Sequence, residues 1–160
     1  TEVSAVPMLL EAFFKNDPHP RTDWVFGTVD MGQSDTVRRI ARKWGVGFGQ
    51  IEKRRRSPTV TEVVGVSGDD VKGKRVQVID DVIATGGSLA NAVRAYYEMG
   101  AVSVCAIAPH GLFAGNALEK LREANTVRVD VTNSHPNAVR AASKGGLVHV
   151  HRLNRQNLTS

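Results

Sequence analysis

Two adjacent carboxylates, Asp80 and Asp81, close the apolar run that ends at Ile79, and Thr85-Gly86-Gly87-Ser88 follows a few residues later. The acids are acceptors, which suits them to sugar hydroxyls or to a hydrated Mg²⁺. The Gly-containing loop before a helix suits the opposite partner. Its free N–H groups and the helix dipole form an anion site. Glycines let the backbone curl around a phosphate, and the Thr85 and Ser88 hydroxyls can donate to it. Acids at one end and a phosphate cradle at the other match a phosphorylated sugar with a vicinal diol. The plainer alternative is a helix cap beside an incidental acidic pair.

Positive charge gathers elsewhere. Between Ser34 and Arg56 the chain has eight basic residues (Arg38, Arg39, Arg42, Lys43, Lys53, Arg54, Arg55 and Arg56) against the acids Asp35 and Glu52, within a net charge of +5. Such a cluster favours an anionic partner, whether phosphorylated metabolite, nucleotide or nucleic acid. For Arg38 to Lys43 a solvated helix face is equally compatible, and for Lys53 to Arg56 an ordinary basic turn. Asp30-Met31-Gly32-Gln33-Ser34 is a short polar loop before a helix, readable as an anion nest or as a plain turn. His110 follows a strand and is expected to hydrogen-bond the loop Gly111-Leu112-Phe113. His135, His149 and His151 show no metal-ligand spacing. The single cysteine, Cys105, lies in the apolar run VSVCAIA and reads as a buried core residue.

The elements that must position these groups alternate between strands and helices. Helices are expected over Ser4 to Phe14, from Ser34 or Asp35 (as cap) to Trp44, over Ser88 to Met99 with Gly100 closing it, and over Asn116 to Ala124. Strands are expected over Trp24 to Val29, Val46 to Ile51, Thr59 to Val66, Arg75 to Ile79, Val102 to Ala108, Val127 to Val131 and Leu147 to His151, with Lys53 to Pro58 a basic loop. This order implies an α/β fold, a mainly parallel sheet with helices on both faces and ligands at the carboxyl ends of strands.

A chain of 160 residues, 41% hydrophobic and 23% charged, suits one such domain over residues 1–160. No apolar run approaches the roughly 20 residues that cross a bilayer, and TEVSAVPMLL has no signal-peptide pattern, so a soluble cytoplasmic protein is expected. The sequence opens on Thr1 rather than methionine, as a processed product or a piece of a longer protein would.

VQVIDDVIATGGS resembles the phosphoribosyl diphosphate (PRPP) binding signature of type I phosphoribosyltransferases. Three further segments resemble the C-terminal half of PRPP synthetases (ribose-phosphate diphosphokinases): IEKRRRSPTVTEVVGVSGDDVKGKRVQVIDD, APHGLFAGNALEKL and VDVTNSHP. They come in the same order from about Trp24 to Pro136. The resemblance implies a Rossmann-like, type I phosphoribosyltransferase-like fold. It implies that Asp80 and Asp81 contact ribose hydroxyls, directly or through Mg²⁺, and that Ala84, Thr85, Gly86, Gly87 and Ser88 wrap the 5-phosphate. It further implies that Lys53 and Arg55 stabilise a transferring diphosphoryl group, and that Asp30, Met31, Gly32 and Gln33 hold pyrophosphate or a nucleotide phosphate. The pattern departs from the family in three places: Ala84 stands where synthetases carry a third acid, Thr28-Val29 replaces Ser-Pro, and Gln33 replaces a glycine.

Three functions remain open on the sequence. The first is the ribose 5-phosphate and PRPP binding domain of a synthetase homologue, which needs ATP and metal contacts from an N-terminal-type domain or a symmetry mate; self-association is expected from the resemblance. The second is a free-standing phosphoribosyltransferase acting on PRPP and a nucleobase, favoured by Ala84-Thr85-Gly86-Gly87. The third is a non-catalytic regulatory subunit or nucleic-acid-binding regulator, for which retained acids at 80 and 81 are unnecessary.

Overall fold

The structure, a computed structural model, describes residues 5–153; Ser4, the expected start of the first helix, lies outside them. In chain order the elements are α1 (Val6–Lys15), β1 (Trp24–Gly27), α2 (Ser34–Trp44), β2 (Gly47–Arg55), β3 (Thr61–Gly68), β4 (Arg75–Ile79), β5 (Val82–Ile83), α3 (Gly87–Glu98), β6 (Ser103–Ile107), β7 (His110–Gly111), α4 (Ala117–Glu123), β8 (Val129–Thr132), α5 (Pro136–Ala142) and β9 (Val148–His151). Among the described residues no helix is long and apolar enough to cross a membrane.

Seven strands form one sheet in the order β3-β2-β1-β4-β6-β8-β9. All its pairings are parallel except that of β2 with β3. The chain enters the sheet in the middle at β1, runs outward through β2 and β3, then returns to the other side of β1 with β4. Winding therefore reverses between β1 and β4. At such a point the loops leaving two neighbouring parallel strands diverge to opposite faces and leave a crevice between them.

Strand alternation divides the core. Val25, Val76, Val78, Val104 and Ala106 face the helices α3, α4 and α5. Trp24, Phe26, Cys105 and Ile107 face α1 and α2. Burial pushes the Cys105 thiol up to about 12, so it is a packed, unreactive core group.

Several expectations are corrected. Lys53, Arg54 and Arg55 lie on strand β2, not in a loop, because β3 pairs antiparallel with them down to Arg55 opposite Thr61. A register shift between Glu52 and Lys53 marks a bulge in this hairpin. Neither Ser34 nor Asp35 caps α2; Ser34 is its first helical residue, and its buried hydroxyl has no protein partner. Helix α5 was not anticipated, although Pro136 at its first turn is a start signal, reinforced by the His135 ring accepting the Asn137 N–H at 3.1 Å.

Tyr96 pins α3 to the sheet at the crevice. Its side chain is fully buried, and its hydroxyl donates to the Thr28 carbonyl at 2.8 Å. Gly27 makes the approach possible: a Cβ there would lie 2.5 Å from the Tyr96 oxygen. Thr28 in turn accepts the Ile51 N–H through Oγ1 at 3.3 Å, which ties β1 to β2. Tyr96→Phe removes a buried hydrogen bond without opening a large cavity. It should lower stability by about 1–2 kcal/mol in urea unfolding. An unchanged midpoint would mean that the hydroxyl contributes nothing to holding α3 on β1.

Candidate functional site

The loop after β1, residues 28–33, and the loop after β4, residues 80–86, face each other across the crevice. Between them lies a cleft of about 180 Å³ lined by Val29, Asp30, Asp80, Ala84, Thr85, Gly86 and Ser88 among others. Most of the residues expected to bind a sugar phosphate therefore share one cavity. Asp81 is exposed at its edge.

The phosphate-type cradle is built by a conformation that only glycine adopts readily. Gly86 precedes α3 with φ +81°, and a Cβ on it would stand 3.2 Å from the Ala117 backbone. The first helical hydrogen bond runs from the Ala90 N–H to the Gly86 carbonyl at 2.9 Å. Among the described residues, no protein acceptor takes the N–H groups of Gly86 to Leu89, so the start of α3 presents free donors.

A second ribbon braces this loop. β5 pairs parallel with β7, the Leu112 N–H donates to Ile83, and the Ala114 N–H donates to the Ala84 carbonyl at 2.8 Å. The segment HGLFAG is thus a backing strap for residues 81–84. His110 departs from expectation: its ring Nδ1 meets Ser134 Oγ at 2.8 Å, away from Gly111 to Phe113.

The acid pair is held tightly. Asp80 Oδ1 accepts the Asp81 N–H at 2.8 Å. The Gln33 side-chain amide reaches across from the other loop and donates to Asp80 Oδ1 at 3.2 Å and to Asp81 Oδ2 at 3.1 Å. This bridge is invisible in sequence, where the partners stand more than forty residues apart. Asp30 accepts the Gly32 N–H at 2.9 Å and so caps its own turn, leaving that amide committed within the protein. Burial raises the Asp80 pKa above the ordinary 3.8, opposed by the Asp81 N–H and Gln33, and the charges of Asp30 and Asp81 raise it further.

Those acids fit a bound Mg²⁺ of a particular kind. Among the described residues no group of three potential metal ligands assembles. Two neighbouring carboxylates suit a cation that keeps most of its waters and takes other ligands from substrate oxygens. A cation there would also relieve the crowding of negative charge on Asp80.

On the β2–β3 hairpin, Glu62 forms ion pairs with Arg54, at 3.3 Å, and with Arg56. Lys53 and Arg55 have no ion-pair partner among the described residues. Lys53 lines a groove along α3 together with Ser88, Asn91 and Arg94. Ser88 lines both this groove and the Asp80 cleft. Arg55 is exposed near the hairpin tip, and Met31 is exposed on the opposite turn. On α2, Arg38 pairs with Asp35 and stacks 4.8 Å from the Phe48 ring, a solvated helix face. His151 Nε2 meets the buried Asp130 at 2.7 Å.

A raised carboxylate pKa carries a stability consequence. Between pH 3.8 and Asp80's own higher value, the folded chain binds more protons than the unfolded one. Stability therefore falls as pH rises through that window and stays lowered above it. Asp80→Asn should raise the melting temperature at pH 7 relative to the wild type, with the difference vanishing below pH 3.8. A melting temperature lowered at pH 7 would show that the charged form is not the costly one.

Comparison with known proteins gives the geometry a family. Residues 28–151 match the phosphoribosyl synthetase-associated domain. The chain is 36% identical over 134 residues to ribose-phosphate pyrophosphokinase of Clostridium acetobutylicum, covering 84% of this chain and 41% of that protein. It is 38% identical over 110 residues to the enzyme of the same name from Pyrococcus furiosus, covering 69% and 39%. It spans about two-fifths of the length of these curated relatives. Phosphoribosylpyrophosphate synthetase from Mycobacterium smegmatis superposes with a TM-score of 0.69 at 29% identity, over 89% of this chain and 45% of that one. Adenine phosphoribosyltransferase from Saccharomyces cerevisiae shares the fold, with a TM-score of 0.55 at 23% identity over 74% of this chain and 72% of that one. With residues 28–151 matched, from the loop after β1 to the end of β9, the chain belongs to the phosphoribosyl synthetase (ribose-phosphate pyrophosphokinase) family and has its type I phosphoribosyltransferase-like α/β fold.

Proposed function

We propose that the cleft between the loops after β1 and β4 binds the ribose 5-phosphate group, as the acceptor site of a PRPP synthetase homologue. The observation that carries this is the pairing, in one cavity, of the Asp80 carboxylate, with Asp81 exposed beside it, and unclaimed amides at the start of α3. A monoester phosphate takes the amides of Gly86 to Leu89 and the hydroxyls of Thr85 and Ser88. The ribose diol donates to Asp80 and Asp81. The unpaired cations Lys53 and Arg55, on the hairpin beside Ser88, neutralise charge on a diphosphoryl group arriving from ATP. In that reaction the ribose C1 hydroxyl attacks the β-phosphorus, AMP leaves, and PRPP is formed. Asp80 and Asp81 would hold a bound Mg²⁺, which would supply charge neutralisation on the phosphate oxygens. With the Gly32 N–H already used by Asp30 and the Gln33 amide on the acid pair, the turn 30–33 contributes mainly the Asp30 side chain.

The likeness to curated relatives covers only their partial length, so ATP contacts are assigned to an N-terminal-type domain or to a second copy. A second reading, transfer from PRPP to a nucleobase, is favoured by one residue: Ala84 lines the cleft where synthetases carry a third acid.

Calorimetry with ribose 5-phosphate, PRPP and ATP, each with Mg²⁺, separates the readings. Ribose 5-phosphate should bind without ATP, and Ser88→Ala should weaken it roughly tenfold, as for one hydrogen bond to a charged group. Formation of a nucleotide from PRPP and a nucleobase would establish the transferase instead. No binding of either phosphosugar would end the ribose-phosphate reading. In a complex that supplies the ATP site, Lys53→Ala and Arg55→Ala should each cost about 10²-fold in turnover, with ribose 5-phosphate affinity changed less than about twofold. Equal loss of affinity and turnover would instead place these cations on the acceptor.

A further inference from the structure

The Gln33 side chain occupies one oxygen of each member of the acid pair. Its amide nitrogen carries two hydrogens, and both are spent on the carboxylates, at 3.2 Å to Asp80 and 3.1 Å to Asp81. Asp80 Oδ1 also accepts the Asp81 N–H at 2.8 Å, so this oxygen already has two donors within the protein. A diol or a hydrated cation that takes Asp80 Oδ1 or Asp81 Oδ2 competes with the amide, while Asp80 Oδ2 and Asp81 Oδ1 accept no hydrogen bond among the described residues. Gln33 has no other task that would hold it there. It stands at the N-cap position of α2 but makes no side-chain capping bond. Its backbone belongs to the short 3₁₀ turn Met31–Gln33, which is tied down by the Gly32 N–H on Asp30 and by the Ser34 N–H on the Met31 carbonyl, neither of which uses the Gln33 side chain. The bridge is also the polar link between the two loops that form the cleft walls. Being a neutral donor, it answers two carboxylates more weakly than a cation does.

We infer that Gln33 is a latch across the acid pair that tunes the affinity of the site: it occupies one oxygen of each of Asp80 and Asp81 in the free chain and is displaced when a diol or hydrated divalent cation bridges the two acids through those oxygens. This rests on the ribose-phosphate reading of the cleft for the identity of the diol, but not for the competition itself, which any cation at the acids would meet. Displacement breaks the Gln33 link between the two loops and thereby couples occupancy of the sugar site to the opposite wall of the cleft. The side chain of Met31, 56% exposed on the same turn, is a natural reporter of that change.

The test compares wild type, Gln33→Ala and Gln33→Glu by calorimetry with Mg²⁺ alone and with ribose 5-phosphate plus Mg²⁺. The Met31 methyl resonance is followed in the same titrations, and circular dichroism confirms that each variant is folded. Removing the competing amide should tighten Mg²⁺ and ribose 5-phosphate binding in Gln33→Ala by roughly 5- to 20-fold, the return of one to two hydrogen bonds to charged groups. Gln33→Glu replaces the donor by a third carboxylate, so it should tighten Mg²⁺ alone by at least as much. In the wild type the Met31 methyl should shift on binding. If both proteins bind ribose 5-phosphate and Gln33→Ala binds it equally or more weakly, the latch is wrong and the sugar-phosphate reading stands. If neither protein binds ribose 5-phosphate, that reading falls, and Mg²⁺ decides the latch: tighter binding in Gln33→Ala supports it, and equal, weaker or no binding overturns it.

Discussion

Parallel pairing of β1 with β4, at the place where the winding of the sheet reverses, is the constraint on which the remaining structure depends. A strand inserted between them, or a helix crossing their carboxyl ends, would close the crevice. Because neither occurs, the two loops face each other with their polar groups uncovered. Everything that could recognise a sugar phosphate comes from these loops or from the helix that one of them starts. The Tyr96 hydroxyl on the Thr28 carbonyl sets the distance between that helix and β1, and Gly27 leaves room for the ring.

Charge is distributed with the same economy of position. The cavity sets acids from both loops, Asp30 and Asp80, close to the unclaimed backbone donors at the start of α3. Burial raises the Asp80 pKa, which is what a carboxylate experiences when its solvent has been removed before its partner arrives. On the hairpin, one acid is enough to sort four cations. Glu62 occupies Arg54 and Arg56, and the two residues that alternate with them are left unpaired. A sequence reading that treats Lys53 to Arg56 as one basic run cannot make that distinction, since it depends on which cross-strand neighbour each side chain meets.

The chain order of strands and helices was legible because burial imposes period and punctuation. The apolar run before Asp80, the β-branched run from Thr59 and Gly100 after α3 all signal their elements locally. Where reading failed, a distant partner had decided the outcome. Lys53 to Arg55 have poor strand propensity, yet β3 supplies the backbone partners that extend the ladder. Helix α5 is only seven residues long, too short for a clear periodic stripe, and the packing of Ala138 and Ala141 into the core stabilises it. His110 was expected to serve its own loop, but the neighbouring strand end brings Ser134 closer.

By itself the sequence determined the chemistry available: a pair of carboxylates at a strand end, a Gly-Gly loop opening a helix, a basic arm and an order of elements that yields a mainly parallel sheet. These follow from local rules, because residue type sets donors, acceptors and backbone freedom, and hydrophobic period sets the elements. Only the tertiary structure decided which groups meet. It set Gln33 across both acids, committed Gly32 to Asp30, left the amides at the start of α3 open, and separated the paired from the unpaired cations of the hairpin. Those are consequences of packing between segments far apart in the chain, and no spacing within either segment encodes the distance between them.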